Sequence, residues 1–93
     1  MDAMNFAWDT KKAVTNLRKH GITFEEAATV FRDSLSVTGV DPDHSMGERR
    51  FISFGISNAA RLIAVAHTDE GSLIRIISAR LATRQERKIY EEG

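Results

Sequence analysis

The sequence predicts an α+β domain, an antiparallel β-sheet meander with helices packed on one of its faces. Apolar residues recur with helical spacing over residues 10–32, and the pattern changes to strand-like alternation from residue 35 onward. Short polar turns separate the later segments, as expected for strands that pair as antiparallel neighbours. A chain of 93 residues accommodates one such domain, 1–93, around a single modest core.

The first part of the chain predicts a short edge strand and two helices. Residues 6–8 form an apolar run, and Asp9 follows as the N-cap of a helix that ends before Gly21. Thr23 and Glu26 have the spacing of a capping box, which begins a second helix. Its apolar residues follow at i, i+3, i+4 and i+7, and they are Phe24, Ala27, Ala28 and Phe31.

The second part predicts four strands and a final helix. The strands are predicted at 35–40, 50–56, 61–67 and 73–79, with a polar loop at 41–48 after the first of them. Thr83 and Glu86 again have capping-box spacing, so the final helix is predicted from about residue 84 to residue 92.

Composition excludes several classes of protein. The chain has no cysteine, which excludes disulfides, thiolate zinc sites and thiol catalysis. It has no apolar run near the roughly 20 residues that a membrane span needs, and no signal peptide, so we expect a cytoplasmic protein. Glycine-rich phosphate loops, nucleophile elbows and metal-ligand spacings are also missing from the sequence. We therefore expect neither a cofactor nor a metal.

Basic residues are concentrated near the end of a chain whose formal net charge is zero. Within residues 75–88 the cations are Arg75, Arg80, Arg84, Arg87 and Lys88, and the single acid is Glu86. Three of these cations share a face at the start of the last helix, where backbone amides already attract anions. Guanidinium groups grip phosphate oxygens in a forked geometry. This pattern indicates a phosphate-rich ligand.

Arg75 falls within the last predicted strand, and Arg80 follows directly after its end. Strict alternation places Arg75 and Arg80 on opposite faces, but a bulge or bend near 78–79 would bring both to one edge. A structural ion pair with Glu48 or with a helix carboxylate is the alternative for Arg75, and a solvated helix face is the alternative for the later cations. His20, His44 and His67 can each act as an acid or base, although a structural role is the simpler explanation for any one of them.

Three stretches carry a resemblance to a known family: "FAWDTKKAVTNLRKHGITFEEAATVF" at 6–31, "DPDHSMGERRFISFG" at 41–55 and "IRIISARLATRQERKIYEE" at 74–92. Together they resemble the BrnT toxins of bacterial type II toxin–antitoxin systems over nearly the whole chain. The resemblance implies a fold like that of the RelE ribonucleases, RNA cleavage without a metal, and inhibition of translation and growth. It also implies that residues 1–4 are a disordered N-terminal extension.

The resemblance implies partners as well as an activity. The substrate is RNA, and the inhibitor is a BrnA-like ribbon–helix–helix antitoxin through which alone the complex contacts operator DNA. A dimer of toxin–antitoxin pairs and the absence of a membrane partner follow from the same resemblance. The alternative is a non-catalytic module whose basic face binds RNA or an acidic protein.

The residues in question receive specific roles under this interpretation. Cleavage by the ribose 2′-hydroxyl needs a base, an acid and cations for the developing charge. Arg75 and Arg80 are expected at the scissile phosphate, with Glu48 or a histidine as base and His20 ahead of His67. The residues expected to hold flanking RNA are Lys19, Arg84 and Arg87 at phosphates and Trp8, by stacking, at a base. A core position for Trp8 is the alternative.

Overall fold

The computed structural model describes residues 4–42 and 49–93. These residues form one five-stranded sheet in the order β1-β5-β4-β3-β2. The strands are β1 (Asn5–Trp8), β2 (Val37–Val40), β3 (Phe51–Ile56), β4 (Leu62–Glu70) and β5 (Leu73–Leu81). The helices are α1 (Thr10–His20), α2 (Phe24–Thr29) and α3 (Arg84–Glu92), and a 3-10 turn (Val30–Arg32) follows α2.

The sheet is mixed, which corrects the purely antiparallel prediction. Strands β2 to β5 form the predicted meander, each antiparallel to the next. Strand β1 pairs with β5 in parallel, from Asn5 opposite Leu73 to Trp8 opposite Ile76. The intervening chain makes this arrangement possible, because a parallel pair needs a long connection that crosses the sheet. The α+β class is confirmed.

Strands β4 and β5 extend beyond their predicted ends. The prediction placed a polar connection at 68–72, but β4 continues to Glu70 and β5 begins at Leu73. A two-residue turn joins them, and its Gly71 has a φ of 69°, a left-handed conformation that glycine adopts without strain. The polar residues before the turn therefore pair within the ladder.

The helix caps agree with the sequence. The Asp9 carboxylate accepts hydrogen bonds from the backbone N–H groups of Lys11 and Lys12, at 2.8 and 3.1 Å. Gly21 ends α1 in the left-handed conformation, with a φ of 69°. At the other end of the chain Thr83 and Glu86 form a complete capping box. Each cap satisfies backbone groups that a helix end leaves without partners.

The hydrophobic core lies between the sheet and the first two helices. Ile22, Phe24 and Val30 pack on Ile63, Val65 and Ile76, and all are almost completely buried. Gly55 of β3 allows the 3-10 turn to approach closely, because a Cβ atom there would lie 2.7 Å from Val30 Cγ1. The core residues of β4 have odd numbers, so they share one face of the sheet.

The third helix contacts β3 and shares a groove with Ile52 and Phe54, which point to the opposite face from Gly55. The Tyr90 hydroxyl donates to Asp33 at 2.6 Å and anchors the end of α3. That carboxylate also accepts from the Ile56 backbone N–H at 2.8 Å, and these bonds lower the pKa of Asp33. The prediction that the helices all pack on one face is therefore not confirmed, since it describes only α1 and α2.

Asn16 joins α1 to the edge of β5 beyond the end of β1. Its side-chain amide donates to the backbone oxygen of Ala79 at 2.9 Å and accepts from the Ala79 N–H at 3.0 Å. The same amide nitrogen donates to the Ile22 oxygen at 3.0 Å. Asn16 thus takes the place of a neighbouring strand and keeps buried backbone groups paired. No helix in the described ranges is long and apolar enough to span a membrane.

Candidate active site

A β-bulge brings Arg75 and Arg80 to the same face of the sheet. Between two successive pairs with β4, strand β5 has one extra residue, Ile77. The extra residue reverses the alternation, so Arg80 opposite Ala64 and Arg75 opposite Thr68 point to one side. The two positions lie four residues apart along β4, about 13 Å at the usual rise of a strand. The sequence left strict alternation and a bulge or bend near 78–79 as alternatives, and the structure has a bulge at Ile77.

Arg80 forms a two-point ion pair with Glu86 of α3. Nη1 donates to Oε1 at 2.7 Å and Nη2 donates to Oε2 at 2.9 Å. The carboxylate raises the pKa of Arg80, and the guanidinium lowers the pKa of Glu86. The Arg80 side chain is still 39% exposed, and a guanidinium has five N–H donors. It is therefore held in a fixed orientation with donors left for a ligand.

Arg75 has a weaker and more exposed partner. Its Nε donates to Glu70 Oε2 at 3.3 Å, and the two side chains are 44% and 42% exposed. Such a surface pair contributes little stability and exchanges readily for another anion. The alternative of a structural ion pair therefore describes Arg80 better than Arg75.

A cavity of about 170 Å³ lies beside Arg80 on this face of the sheet. Its walls are Asp41, Ile52, Ala64, Ala66, Ser78 and Arg80. Asp41 is only 7% exposed, and its negative charge contributes to the raised pKa of Arg80. The sequence pattern places Asp41 in a polar loop and indicates no further role, because its proximity to Arg80 depends on how β2 pairs across the sheet.

A cationic groove of about 370 Å³ runs between α1 and β5. The groove is lined by Lys11, Lys12, Thr15, Asn16, Lys19, His20, Ile77 and Ser78. Lys11, Thr15 and Lys19 are spaced four residues apart, as are Lys12, Asn16 and His20, so two adjacent stripes of α1 face the groove. Lys19 and His20, two of the predicted site residues, therefore face the same groove. Lys11 and Lys12 were not among the predicted site residues, although helical periodicity places them on the same side of α1 as Lys19 and His20.

Ser78 lines both the cationic groove and the cavity beside Arg80. The two concavities therefore adjoin at the edge of β5. The lysines line one of these concavities, and the guanidinium of Arg80 lines the other. Because charged clefts concentrate oppositely charged ligands, this arrangement favours an extended polyanion.

His67 is part of the core and has no access to a ligand. It is 1% exposed, and its ring lies edge-on to Phe31 and stacks on Phe51. Nδ1 lies 2.8 Å from Asp69 Oδ1, and Nε2 lies 2.8 Å from Ser53 Oγ. A neutral ring with its proton on Nδ1 donates to Asp69 and accepts from Ser53. Burial lowers the pKa of His67, against the opposing effect of Asp69. The position of His67 favours the structural role.

The remaining predicted residues lie outside these concavities. Trp8 is half-buried, and its ring meets Phe24 edge-on with centroids 5.9 Å apart, so core packing accounts for its position. Arg84 and Arg87 are exposed on α3. Helical geometry turns them away from Gln85, Glu86 and Ile89, the residues of α3 that face the sheet. They are placed to contact only the outer part of a long ligand.

Two of the predicted acid–base residues, Glu48 and His44, lie outside the described residues. Within the described ranges no group of three or more His, Asp and Glu side chains is arranged to hold a metal ion. The acid–base candidates that face the described concavities are therefore His20 in the groove and Asp41 beside Arg80.

Comparison with known proteins agrees with this fold. A family model described as "Ribonuclease toxin, BrnT, of type II toxin-antitoxin system" matches residues 8–86. The chain belongs to this family. Its membership in the BrnT family makes it a ribonuclease toxin with an antitoxin partner and an RNA target.

A solved structure gives the same result. The crystal structure of the Brucella abortus ribonuclease toxin BrnT superimposes with a TM-score of 0.63 and 28% sequence identity, covering 88% of this chain and 100% of that chain. A search of the curated proteins finds no match. The BrnT resemblance drawn from the three sequence stretches is confirmed.

Proposed function

We propose that this chain is a metal-independent endoribonuclease that cleaves RNA in an active site containing Arg80 and thereby inhibits translation. The observation that carries the proposal is the junction at Ser78, where the cationic groove meets the cavity beside Arg80. The groove holds a phosphate chain, and the cavity provides a guanidinium for the phosphate that reacts. A RelE-like mechanism and a cytoplasmic location are part of the same proposal.

The reaction follows from the groups at this junction. The ribose 2′-oxygen attacks the adjacent phosphorus and loses its proton to a base, while the 5′-oxygen leaves and receives a proton from an acid. Negative charge develops on the phosphate oxygens as the new bond forms. The N–H donors of Arg80 are aimed in advance by Glu86, so they stabilise that charge without a large reorganisation. Electrostatic stabilisation of this kind is usually the largest contribution to catalysis.

The other residues bind or transfer protons. His20 is the proposed base, because it faces the groove and histidine is the side chain that most often transfers protons in catalysis. Glu48 is the other proposed base and lies in the segment next to Arg49. Lys19 holds a flanking phosphate. Since Arg75 lies about 13 Å from Arg80 along the strand, it fits a neighbouring phosphate better than the scissile one.

More distant residues extend the proposed contact. Arg84 and Arg87 meet phosphates farther along the RNA, on the outer face of α3. Trp8 is proposed for base stacking only through the edge that core packing leaves exposed. These contacts affect affinity more than rate, because they do not change between the ground state and the transition state.

The test is cleavage of RNA by the purified chain in buffer that contains EDTA. We expect products with a 2′,3′-cyclic phosphate on one side and a 5′-hydroxyl on the other. A 2′-deoxy nucleotide at the cleaved position should block the cut there, because it removes the attacking oxygen. Ribosome-bound messenger RNA is the second substrate. Cleavage of neither substrate, with RNA still bound, would instead support the non-catalytic binding module.

A further inference from the structure

A second groove lies between α3 and the β2–β3 edge of the sheet. Its volume is about 490 Å³, and its apolar residues include Val37, Ile52, Phe54 and Ile89. Ile89 is 45% exposed, and Val40, which lines the groove on β2, is 53% exposed. Exposed apolar side chains gathered in one concavity are typical of a protein–protein contact.

The charges of this groove do not suit RNA. Its charged residues are Asp41, Glu86 and Arg80, two carboxylates and one guanidinium, and the guanidinium is bonded to one of the carboxylates. This lining attracts a long polyanion less than the lysines of the α1 groove do, because its two carboxylates oppose its one guanidinium. An apolar polypeptide segment is complementary to it.

The backbone of β2 indicates the conformation of that segment. Asp41 N–H donates to the Arg50 oxygen at 2.9 Å, and β2 and β3 pair in register as Val40 with Phe51 and Gly39 with Ile52. Bonded and non-bonded pairs alternate in an antiparallel ladder, so Gly39 bonds to β3. The N–H and C=O groups of Thr38 and Val40 then point away from β3, toward the outer edge of the sheet. An extended chain that runs along β2 can bond to them.

Gly39 opens the way from this edge to the groove. It lines the groove, and nothing lies within 4 Å of the position that a Cβ atom would occupy there. A side chain from an added strand can therefore pass over Gly39 and reach Ile52 and Phe54. Alternate residues of a strand point to one face, so every second residue of the segment would enter the groove.

We propose that the antitoxin partner adds an extended segment to the outer edge of β2 and inserts apolar side chains into the α3 groove. The groove shares Asp41, Ile52 and Arg80 with the cavity of the proposed active site. A segment seated there covers Arg80 and excludes the RNA phosphate. This step of inhibition, unlike the docking itself, rests on the proposed function.

Binding to the antitoxin tests the docking directly. The binding partner is the protein encoded by the gene adjacent to that of this chain, and affinity is measured by calorimetry. Val40→Pro removes an outward N–H without losing a bond to β3, and proline blocks strand addition at an edge. Ile89→Gln reduces the apolar lining. We expect each to weaken binding about tenfold or more.

The control variant is Leu17→Gln, a similarly exposed apolar residue of α1, 48% against 45%, that does not line this groove. It should bind the antitoxin like the wild type. Thermal unfolding of every variant shows whether the fold is intact. Amide hydrogen exchange supplies a second readout, because the amides of Thr38 and Val40 should become protected in the complex.

Several results would overturn the proposal. One is an unchanged antitoxin affinity for both Val40→Pro and Ile89→Gln in folded protein. Another is a loss of affinity in Leu17→Gln as large as that in the groove variants. The third is a lack of protection of the Thr38 and Val40 amides in the complex. Dimerisation of the chain alone through β2, abolished by Val40→Pro, would assign the edge to a second copy and also overturn it. Because no RNA is present, the docking result stands even if the chain fails to cleave RNA.

Discussion

Arg80 and Glu86 form a two-point ion pair that links the end of β5 to the first turn of α3. The same carboxylate oxygen that accepts from Arg80 Nη1 also accepts from the Thr83 backbone N–H, at 2.9 Å. Glu86 therefore completes the helix cap and fixes the guanidinium with one side chain. The proposed catalytic cation is positioned by the element that follows its strand.

Glu86→Gln separates the two functions of this residue. Glutamine preserves the capping geometry, since it is an accepted residue at this place in a capping box. The negative charge of the carboxylate is lost, so the positive charge of Arg80 is no longer balanced and its guanidinium is less firmly oriented. We expect kcat to fall about tenfold and KM to fall as well, because a negative charge near the RNA has been removed. Steady-state cleavage of a short RNA measures both constants.

The control for this prediction is Glu91→Gln, an exposed glutamate at the end of the same helix. It should leave kcat and KM close to those of the wild type. A kcat of Glu86→Gln equal to that of the wild type would show that the ion pair has no part in positioning Arg80.

Asn16 should stabilise the fold more than an ordinary helix residue. Asn16→Leu preserves the approximate shape but leaves the Ala79 N–H and two backbone oxygens without their partner at a buried site. We expect the free energy of unfolding to fall by about 3 kcal/mol, since unpaired buried groups incur a desolvation cost. Urea unfolding measures the change. The exposed neighbour Thr15→Ala should change stability by less than about 0.5 kcal/mol, and an equal effect in both variants would refute the role of Asn16.

His67 should make the fold less stable in mildly acidic solution. Its folded-state pKa lies below the ordinary value of 6.5, so the unfolded chain binds a proton more readily than the folded one. Its contribution to stability is complete above that pH and declines as the pH falls toward the folded-state pKa. The decline is at most about 1.4 kcal/mol per pH unit for one proton. Urea unfolding at about pH 7.5 to about pH 5, which extends to either side of the ordinary pKa of histidine, measures this decline in the free energy of unfolding.

The matched variant for the pH series is His67→Gln, which can still bond to Ser53 but does not titrate. Its stability should vary less over the same range. The shifted carboxyls Glu26, Asp33 and Glu86 have ordinary values of 4.5, 3.8 and 4.5, so they act at lower pH. A wild-type stability that stays constant or rises as the pH falls would contradict a buried neutral His67.

The α1 groove should account for part of the salt dependence of RNA binding. Lys11→Ala with Lys19→Ala removes two cations from one stripe of the helix without affecting buried residues. Each phosphate contact on single-stranded RNA contributes about 0.7 to the slope of log affinity against log salt. We expect the double variant to reduce the slope by about 1.4, measured by fluorescence anisotropy with a labelled RNA. The control variant Arg32→Ala, outside this groove, should leave the slope unchanged. An unchanged slope in the double lysine variant would show that RNA does not bind along the α1 groove.

Local features of the fold could be predicted from the sequence, because local chemistry determines them. Helix ends are marked by bonds within a few residues, at Asp9, at Gly21 and at the Thr83–Glu86 pair. The structure has each of these caps at the predicted position. The parallel pairing of β1 could not be predicted, since it depends on where a long crossover places the chain. The position of α3 likewise depends on Tyr90 reaching Asp33, a contact between residues 57 positions apart.

The candidate site was predictable in part for the same reason. The position of Lys11, Lys12 and Lys19 on two adjacent stripes of α1 follows from helical spacing, although only Lys19 was identified. The bond between Arg80 and Glu86 spans a strand end and a helix start, so no single period reveals it. His67 shows the opposite limit, because a histidine at a strand end has the same sequence pattern whether its ring faces solvent or the core.

Cleavage of RNA by Arg80→Ala in EDTA is the most direct test of the account. The measurement is the single-turnover rate on one short RNA, with Arg32→Ala, an exposed arginine of the 3-10 turn, as the control and thermal unfolding as the check on folding. We predict that Arg80→Ala lowers the rate by at least about 100-fold, as is typical for loss of a donor that stabilises transition-state charge, and that Arg32→Ala cleaves normally. A folded Arg80→Ala protein that cleaves RNA at the wild-type rate would contradict the assignment of Arg80 as the catalytic cation.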